Sequence, residues 1–338
     1  MKINKPDKKE LRNFLESMLV PHTQFTKALI DLEQGFEVAE SLSTSYGLFI
    51  CGESRTGKSR LLEEFRLKHP PYNNLQELVY PILYVQVPSK PTVRGLASEI
   101  LAAFGDPLAD KGTEVELTRR ILNYIKQCQT RVLILDEFQH FVDKSTNFKV
   151  IHHASDWLKN FLNSAKIVVV IAGLPYGDAV LGQNNQLRGR FTKAINLTRF
   201  DWKKSDSRNE FLGLLDGFTE LLRMRFQSVD LGDEEIAYRL YHASGGLTGY
   251  IFNIIRTAVW HVIDQERTTI TIEDLHLGYE RFVSEVDRIS INPFSTSFSL
   301  FESSELDKAS KIGMRADDYA PEKALPRYKP RTTREALS

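Results

Sequence analysis

One octapeptide constrains the fold of this chain more than any other segment. It occupies residues 52–59, reads GESRTGKS and fits the pattern G-x-x-x-x-G-K-[ST]. A short apolar run at 47–51 precedes it, and a helical pattern follows it to about Lys68. Glycines at these positions let the backbone curl, so that successive N–H groups point at phosphate oxygens near the positive end of the helix. The segment therefore predicts a strand, a phosphate-binding loop and a helix, in that order.

The loop also predicts which residues bind a nucleotide. Lys58 is expected to reach the β- and γ-phosphates of ATP, and the Ser59 hydroxyl is expected to bind Mg²⁺. The candidate nucleotide-binding residues of the loop are Gly52, Glu53, Ser54, Arg55, Thr56, Gly57, Lys58 and Ser59. The alternative is a chance match, but a position between an apolar strand and a helix is the context that phosphate binding requires.

A second motif, at 131–137, reads RVLILDE. Its apolar run predicts a buried strand that delivers two acids to one edge of a sheet. Asp136 is expected to bind Mg²⁺ as part of the nucleotide site, and Glu137 is expected to be the general base that orients the attacking water. The alternative is a strand that ends in solvated acids, but the phosphate loop upstream favours the metal and base roles.

Strand and helix patterns alternate over the first two hundred residues. Apolar runs predict further strands at 82–87, 131–135, 166–172 and 194–197, and helical patterns lie between them at 91–104, 114–128 and 149–163. Such alternation predicts an α/β fold, with a parallel sheet that helices flank on both faces. A strand and two helices between the two motifs fit additional-strand P-loop ATPases better than simple nucleoside kinases.

The length of 338 residues is enough for about two domains and their extensions. We expect an N-terminal helical segment at 1–45, an α/β nucleotide-binding domain at 46–200 and a helical lid domain at 201–288. Residues 289–338 contain several Ser, Thr and Pro residues with aromatic residues between them, which predicts a largely disordered tail that binds a partner. A solvated tail without a function is the alternative.

Composition limits what bulk charge can explain. The chain has 44 Lys and Arg against 44 Asp and Glu, which excludes indiscriminate coating of DNA but does not exclude local basic patches. Its two cysteines cannot form a disulfide framework or a zinc site, so a reducing cytoplasm is the expected location. No run approaches the ~18 apolar residues of a membrane span, and no membrane partner is expected.

An arginine-containing segment precedes the last predicted strand. It reads NQLRGRF at 185–191. An arginine here is expected to project into the nucleotide site of a neighbouring subunit and to stabilise charge in the transition state. Arg190 is the first candidate for this arginine finger and Arg188 is the substitute. A solvated basic turn or a DNA contact is the alternative.

With these motifs in order, the chain resembles AAA+ ATPases and, more narrowly, the TniB/TnsC family of transposition regulators. The resemblance covers roughly residues 10–285. The residues that support it are the helix at 22–42 and the segments PSKPTVRGLASEILAAFGDP (88–107), DEFQHF (136–141), AGLPYGDAVL (172–181), QLRGRF (186–191) and SGGLTGYIFNIIRTA (244–258).

The resemblance implies a bacterial, ATP-dependent regulator that assembles head to tail, as a ring or helical filament, around duplex DNA. Such an assembly couples a TniQ- or TnsD-like target selector to a DDE transposase of the TnsB type, with a TnsA-like protein as a further candidate partner. ATP hydrolysis then promotes disassembly. Targeting by a DNA-binding protein and targeting by the RNA-guided complex of a CRISPR-associated transposon both remain open.

Two residues depart from the AAA+ pattern. Leu174 stands where a polar sensor is expected after the strand at 166–172, and Gly249 stands near the position of a sensor arginine in the lid. Both departures are consistent with slow, regulatory hydrolysis.

In the family that the chain resembles, the region after the second strand faces DNA. The candidate phosphate contacts there are Lys90, Thr92, Arg94, Lys111 and Thr113. The alternative is that Thr92 caps a helix beginning near Val93 and that the charges are merely solvated. For the whole chain, the alternatives are an AAA+ replication initiator or helicase loader, a P-loop kinase, and a nucleotide-gated scaffold that does not bind DNA.

Overall fold

The computed structural model describes residues 7–43, 45–74, 77–142, 148–191, 193–282, 291–300 and 303–313. The helices of these residues are α1 (Lys8–Ser17), α2 (Thr23–Val38), α3 (Lys58–Lys68), α4 (Val93–Ala103), α5 (Glu114–Gln127), α6 (Phe148–Ala165), α7 (Asp178–Leu181), α8 (Asn185–Arg188), α9 (Ser205–Arg223), α10 (Glu234–Ser244), α11 (Thr248–Asp264), α12 (Ile272–Phe282) and α13 (Ser303–Ala309). The strands are β1 (Tyr46–Cys51), β2 (Tyr72–Asn74), β3 (Glu77–Val79), β4 (Ile82–Gln86), β5 (Val132–Asp136), β6 (Val168–Gly173), β7 (Lys193–Asn196), β8 (Gln227–Ser228) and β9 (Thr269–Ile270).

Five of these strands form a parallel sheet in the order β4-β5-β6-β1-β7. Every residue of β5 and β6 is buried, which explains why their sequences are uninterrupted apolar runs rather than alternating ones. The chain passes from β1 to β4 in one direction and later adds β7 on the other side of β1. The carboxyl end of β1 therefore lies at a point where the strand order reverses, which is where α/β sheets bind ligands. The predicted α/β fold is confirmed.

Helices α4, α5 and α6 pack on this sheet in one apolar core. The apolar stripe of α4 is fully buried and consists of Val93, Leu96, Ala97, Ile100 and Leu101. Burial of each large aliphatic side chain stabilises the fold by about 1.5–3 kcal/mol relative to its exposure. The short antiparallel pair β2–β3 precedes β4 and lies outside the main sheet.

A second compact unit is helical, as the patterns at 201–288 predict. Its core contains the apolar faces of α9, α10, α11 and α12. Helix α10 begins at the capping residue Asp233 and ends at Gly245, whose φ of 61° is the left-handed conformation that favours glycine. None of the helices in the described part of the chain is long and apolar enough to cross a membrane.

The N-terminal segment predicted at 1–45 does not form a region of its own. Helix α1 contributes Leu15 and Met18 to the core of the helical unit. Most of α2 belongs instead to the sheet unit, where Asp31 pairs with Lys193 and Phe36 packs edge-on against Phe65. The two helices, separated at Pro21, therefore belong mainly to two different units.

The predicted tail at 289–338 also differs from the structure. Residues 291–300 and 303–313 pack on the helical unit, and both Phe294 and Phe298 are buried in its core. Arg239 donates a hydrogen bond to the carbonyl of Ser295 at 3.0 Å, and Arg199 donates to the carbonyls of Ser310 and Ile312 at 2.9 and 3.0 Å. Phe294 and Phe298 thus anchor residues 291–300 on the helical unit. Residues 314–338, with the basic end of the tail, lie outside the described residues.

Candidate functional site

The loop at 52–59 leaves β1 at its buried end and leads into α3, which begins at Lys58. Two of its residues have left-handed backbone, Arg55 with φ 66° and Gly57 with φ 95°. Left-handed residues in such a loop orient neighbouring N–H groups toward one concave side and create an anion-binding site. The amino end of α3 adds the partial positive charge of its unpaired N–H groups.

The Lys58 ammonium lies against the start of the same loop. Its Nζ donates hydrogen bonds to the carbonyls of Gly52 and Glu53, each at 2.7 Å, and the side chain is buried. A buried cation therefore lies at the start of the loop, against the carbonyls that follow β1. This is the position in which an ammonium can contact phosphate oxygens.

Asp136 ends β5 and is held by two hydrogen bonds. Its Oδ1 accepts from the backbone N–H of Glu137 at 2.8 Å, and its Oδ2 accepts from the hydroxyl of Tyr84 on β4 at 2.9 Å. The Arg66 guanidinium lies over the Tyr84 ring, 4.6 Å from its centre. Burial raises the pKa of Asp136, although both hydrogen bonds and the charge of Lys58 oppose this rise. Burial and the neighbouring Asp136 carboxylate also raise the pKa of Tyr84.

The donor atoms at this site suit Mg²⁺. Ser59 and Asp136 offer a hydroxyl and a carboxylate, the hard oxygen ligands that this ion prefers. Among the described residues, no group of three or more His, Cys, Asp or Glu side chains could hold a metal ion. Mg²⁺ commonly binds through one or two protein oxygens and completes its shell with phosphate and water, so the two residues fit it without a larger cage.

The substitution Asp136→Asn should stabilise the nucleotide-free protein. The pKa of this carboxyl is raised in the folded state, so its ionised form costs stability once the pH rises above about 4, the ordinary value for Asp. We expect Tm to rise by roughly 2 °C at pH 7 and this difference to vanish as the pH falls well below ~4, where the carboxyl is protonated in both states. Thermal melts across this pH range measure the effect, and a lower Tm at pH 7 would contradict the burial argument.

Glu137 follows Asp136 in a left-handed conformation, with φ 56° and ψ 36°, and directly precedes a short 3-10 helix at Phe138–Phe141. Its Oε2 accepts a hydrogen bond from Nε2 of Gln139. The carboxamide oxygen of Gln139 in turn accepts from the backbone N–H of Leu174 at 3.1 Å. Sequence analysis did not single out Gln139. The only signal in the sequence was a glutamine directly before a histidine, between two phenylalanines, in the segment FQHF.

The remaining loop residues, 54–57, group with the helical unit. The Arg55 carbonyl accepts a hydrogen bond from the backbone N–H of Gly249 at 2.9 Å, and the Arg55 guanidinium lies 4.2 Å from the centre of the Tyr250 ring. A Cβ atom on Gly249 would be 3.0 Å from the Arg55 carbonyl oxygen. Gly249 therefore allows α11 to approach the loop backbone, which an arginine at this position would crowd.

The arginine segment docks at the amino end of β1. The Arg190 guanidinium donates to the Ser45 carbonyl at 3.1 Å and to the side chain of Asn163. The backbone N–H of Gly47 donates to the Arg190 carbonyl at 2.9 Å. Arg188 lies 3.5 Å from Asp178, and its side chain is 60% exposed. Arg190 is thus at the end of β1 opposite to the phosphate loop of its own subunit.

All five candidate DNA contacts are exposed, but three of them also have structural roles. Thr92 caps α4 and Thr113 caps α5, as the capping alternative predicts for Thr92. Arg94 donates to the backbone carbonyls of residues 110 and 112 at 2.6 and 3.1 Å. Among the residues that the structure describes, the Lys111 ammonium pairs only with Asp110, at 3.1 Å, and both side chains are exposed. Lys90 and Lys111 are therefore the better candidates for contact with phosphate.

Comparison with known proteins gives both a family and a fold. The model of a family described as "Bacterial TniB protein" matches residues 11–203. No curated protein matches the chain.

Three solved structures share its fold. Cdc6p from Pyrobaculum aerophilum has a TM-score of 0.59 at 13% identity, over 80% of this chain and 71% of that one. The Aeropyrum pernix ORC2 protein (ADPNP-ADP complexes) has a TM-score of 0.57 at 13% identity, over 82% and 72%. The Aeropyrum pernix ORC1 protein in complex with DNA has 0.54 at 14% identity, over 80% and 69%. At such identities the similarity shows the fold alone.

Proposed function

Because the chain belongs to the TniB family of bacterial proteins, we propose that it is an ATP-hydrolysing regulator of DNA transposition. One observation carries the ATPase part of the proposal. In the sheet unit, the buried Lys58 donates to the carbonyls of Gly52 and Glu53 just after β1, and Asp136 ends β5, two strands away, with Glu137 directly after it. This arrangement supplies a phosphate site, metal ligands and a base in one fold.

The residues of the site support the following roles. The N–H groups of the loop and the Lys58 ammonium bind the phosphates of ATP. Ser59 and Asp136 would hold Mg²⁺, which would neutralise phosphate charge. Glu137 accepts a proton from the attacking water as the γ-phosphoryl group passes to that water. The products are ADP and inorganic phosphate. Hydrolysis is expected to be slow, since the buried side chain at the sensor position, Leu174, has no polar group.

Arg190 supports a head-to-tail assembly. Six residues of β1 separate its contacts at Ser45 from the phosphate loop, a distance of about 20 Å along a strand. Arg190 therefore cannot reach the nucleotide of its own subunit, whereas it can serve the site of a neighbour. Its two described contacts fix the guanidinium and leave other N–H donors for phosphate oxygens. A ring or a helical filament follows from repetition of this contact.

Duplex DNA is the proposed partner of the assembly. Lys90 and Lys111 are the proposed phosphate contacts, supported by Thr92, Arg94 and Thr113, which shape the same surface. With 44 basic and 44 acidic residues, one subunit has little bulk attraction for DNA. Binding should therefore depend on ATP-driven assembly that aligns many small basic patches.

The other proposed partners are proteins. A TniQ- or TnsD-like target selector would meet one end of the assembly, and a DDE transposase of the TnsB type, with or without a TnsA-like protein, would meet the other. Hydrolysis would release the assembly after use. The proposed location is the bacterial cytoplasm, where both DNA and ATP are present.

Electron microscopy tests this function directly. Purified protein is imaged with a non-hydrolysable ATP analogue, with and without duplex DNA, and beside Lys58→Ala as the matched control that cannot bind nucleotide. Rings or filaments that need both nucleotide and DNA support the proposal. Monomers that neither bind DNA nor assemble on it would contradict the proposal and would favour a P-loop kinase or a nucleotide-gated scaffold.

The similarity to Cdc6p and ORC proteins supports a second candidate, a replication initiator or helicase loader. Pull-down assays separate the two functions. A regulator of transposition retains the transposase in the presence of ATP, whereas a loader retains a replicative helicase.

Charge reversal at the proposed DNA surface should weaken binding to all sequences alike. For the double variant Lys90→Glu/Lys111→Glu we expect about a tenfold loss of DNA affinity. We also expect the slope of log affinity against log salt concentration to be shallower by roughly one unit per lysine removed. Fluorescence anisotropy in the presence of the ATP analogue, at several salt concentrations, measures both. Lys126→Glu is the control, because Lys126 is also exposed in the sheet unit but lies at the far end of α5. An equal loss of DNA affinity in the double variant and in Lys126→Glu would contradict the assignment of Lys90 and Lys111 as phosphate contacts.

A further inference from the structure

The Gln139 carboxamide joins two parts of the sheet unit that are distant in sequence. Its Nε2 donates to the Glu137 carboxylate, and its Oε1 accepts from the backbone N–H of Leu174, 35 residues further along the chain. The side chain is 4% exposed, and the flanking Phe138 and Phe141 are buried in the apolar core. Gln139 is therefore held in place on both sides and is shielded from solvent.

The two partners determine which way the amide points. A backbone N–H can only donate, so the atom that faces Leu174 must be the carboxamide oxygen. An ionised carboxylate can only accept, so the atom that faces Glu137 must be the carboxamide nitrogen. Both requirements are met by the same orientation. Among residues of similar size, Glu would lose the donor and Met would lose both groups.

The surroundings leave room for this bridge and for little else. A Cβ atom on Gly173 would lie 2.4 Å from the carboxamide oxygen of Gln139, so a side chain at position 173 would displace it. The bridge formed by these two hydrogen bonds ends at Leu174, the position at which the AAA+ pattern predicts a polar sensor side chain. The polar group near Leu174 is therefore the Gln139 carboxamide, which contacts the end of β6 by accepting a hydrogen bond from the Leu174 backbone N–H.

From this geometry we infer that Gln139 is a positioning residue for ATP hydrolysis, which fixes the Glu137 carboxylate against the carboxyl end of β6. The inference rests on the proposed ATPase function. Gln139 engages Oε2 of Glu137 and leaves Oε1 for the proton of the attacking water. Without the bridge, the carboxylate loses the described contact that holds it to β6, and a base displaced by about 1 Å can cost up to a hundredfold in rate.

Steady-state and single-turnover hydrolysis by Gln139→Met and Gln139→Glu test the inference. We expect kcat to fall at least about tenfold in both variants, with the Kd for a fluorescent ATP analogue unchanged within about twofold. The retained nucleotide affinity shows that each variant is folded, and Gln139→Glu keeps the size of the side chain if Gln139→Met proves unstable. Gln127→Glu, an exposed change of the same type at the end of α5, is the control and should hydrolyse ATP like the wild type.

The double variant Glu137→Gln/Gln139→Met separates positioning from a general structural role. If Gln139 acts through Glu137, its removal should cost nothing further once the base is gone. A further loss equal to that of the single variant would overturn the inference, as would a Gln139→Met enzyme with wild-type or higher kcat. A wild-type protein that does not hydrolyse ATP would instead overturn the proposed function, and the inference with it.

Discussion

Glu137→Gln is expected to lower kcat for ATP hydrolysis by at least about a hundredfold while ATP affinity stays within about twofold. The new side chain has the same size, and its amide oxygen can still accept the hydrogen bond from Gln139. It cannot take a proton from water, and general bases commonly contribute 10²–10⁴ in rate. Phosphate release measures kcat, and equilibrium binding of a fluorescent analogue measures affinity.

The same variant should change how long the assembly persists. If hydrolysis drives disassembly, Glu137→Gln assemblies on DNA should outlast those of the wild type in the presence of ATP. Lys58→Ala is the matched control, because it should lose nucleotide affinity and fail to assemble when it is the only subunit present. A Glu137→Gln enzyme that keeps wild-type turnover would show that another residue is the base, and would leave the acids at the end of β5 with a metal role only.

The features that sequence predicted well are local ones. The phosphate loop, its strand and its helix follow from eight consecutive residues with fixed backbone requirements, and the structure places β1 and α3 where the pattern predicts them. The capping of α4 by Thr92 is equally local, since the hydroxyl accepts from the N–H of Gly95, three residues away. The parallel sheet follows from apolar runs that alternate with helices.

The features that sequence missed depend on contacts between distant residues. The bond from Leu174 to Gln139 exists because β5 and β6 pair in a parallel register that sets Leu135 beside Ile171. No local pattern encodes that register. Composition likewise predicted a disordered tail, because a few buried side chains such as Phe294 and Phe298 are diluted by polar neighbours. Their burial depends on the apolar faces of other helices in the same unit.

Arg190→Ala should lower kcat by at least roughly a hundredfold, since an arginine finger contributes 10³–10⁵ in related phosphoryl transfers. ATP affinity should change little, because Arg190 lies at the opposite end of β1 from the loop that binds phosphate in its own subunit. Arg188→Ala is the comparison variant. Its guanidinium contacts only Asp178 among the described residues, and we expect a loss of less than about threefold. A large loss of kcat in Arg188→Ala with a small loss in Arg190→Ala would show that Arg188, not Arg190, is the arginine finger.

A loss of activity in Arg190→Ala alone does not prove action in trans, because the variant also loses the contacts with Ser45 and Asn163. Mixing it with Lys58→Ala does test this. Arg190→Ala subunits bind ATP but offer no finger, whereas Lys58→Ala subunits bind no ATP but keep Arg190. In an equimolar mixture, random neighbours should restore about a quarter of wild-type activity, although neither variant is active alone. If Arg190 acts within its own subunit or only stabilises the fold, the mixture stays inactive, and the head-to-tail assembly loses its main structural support.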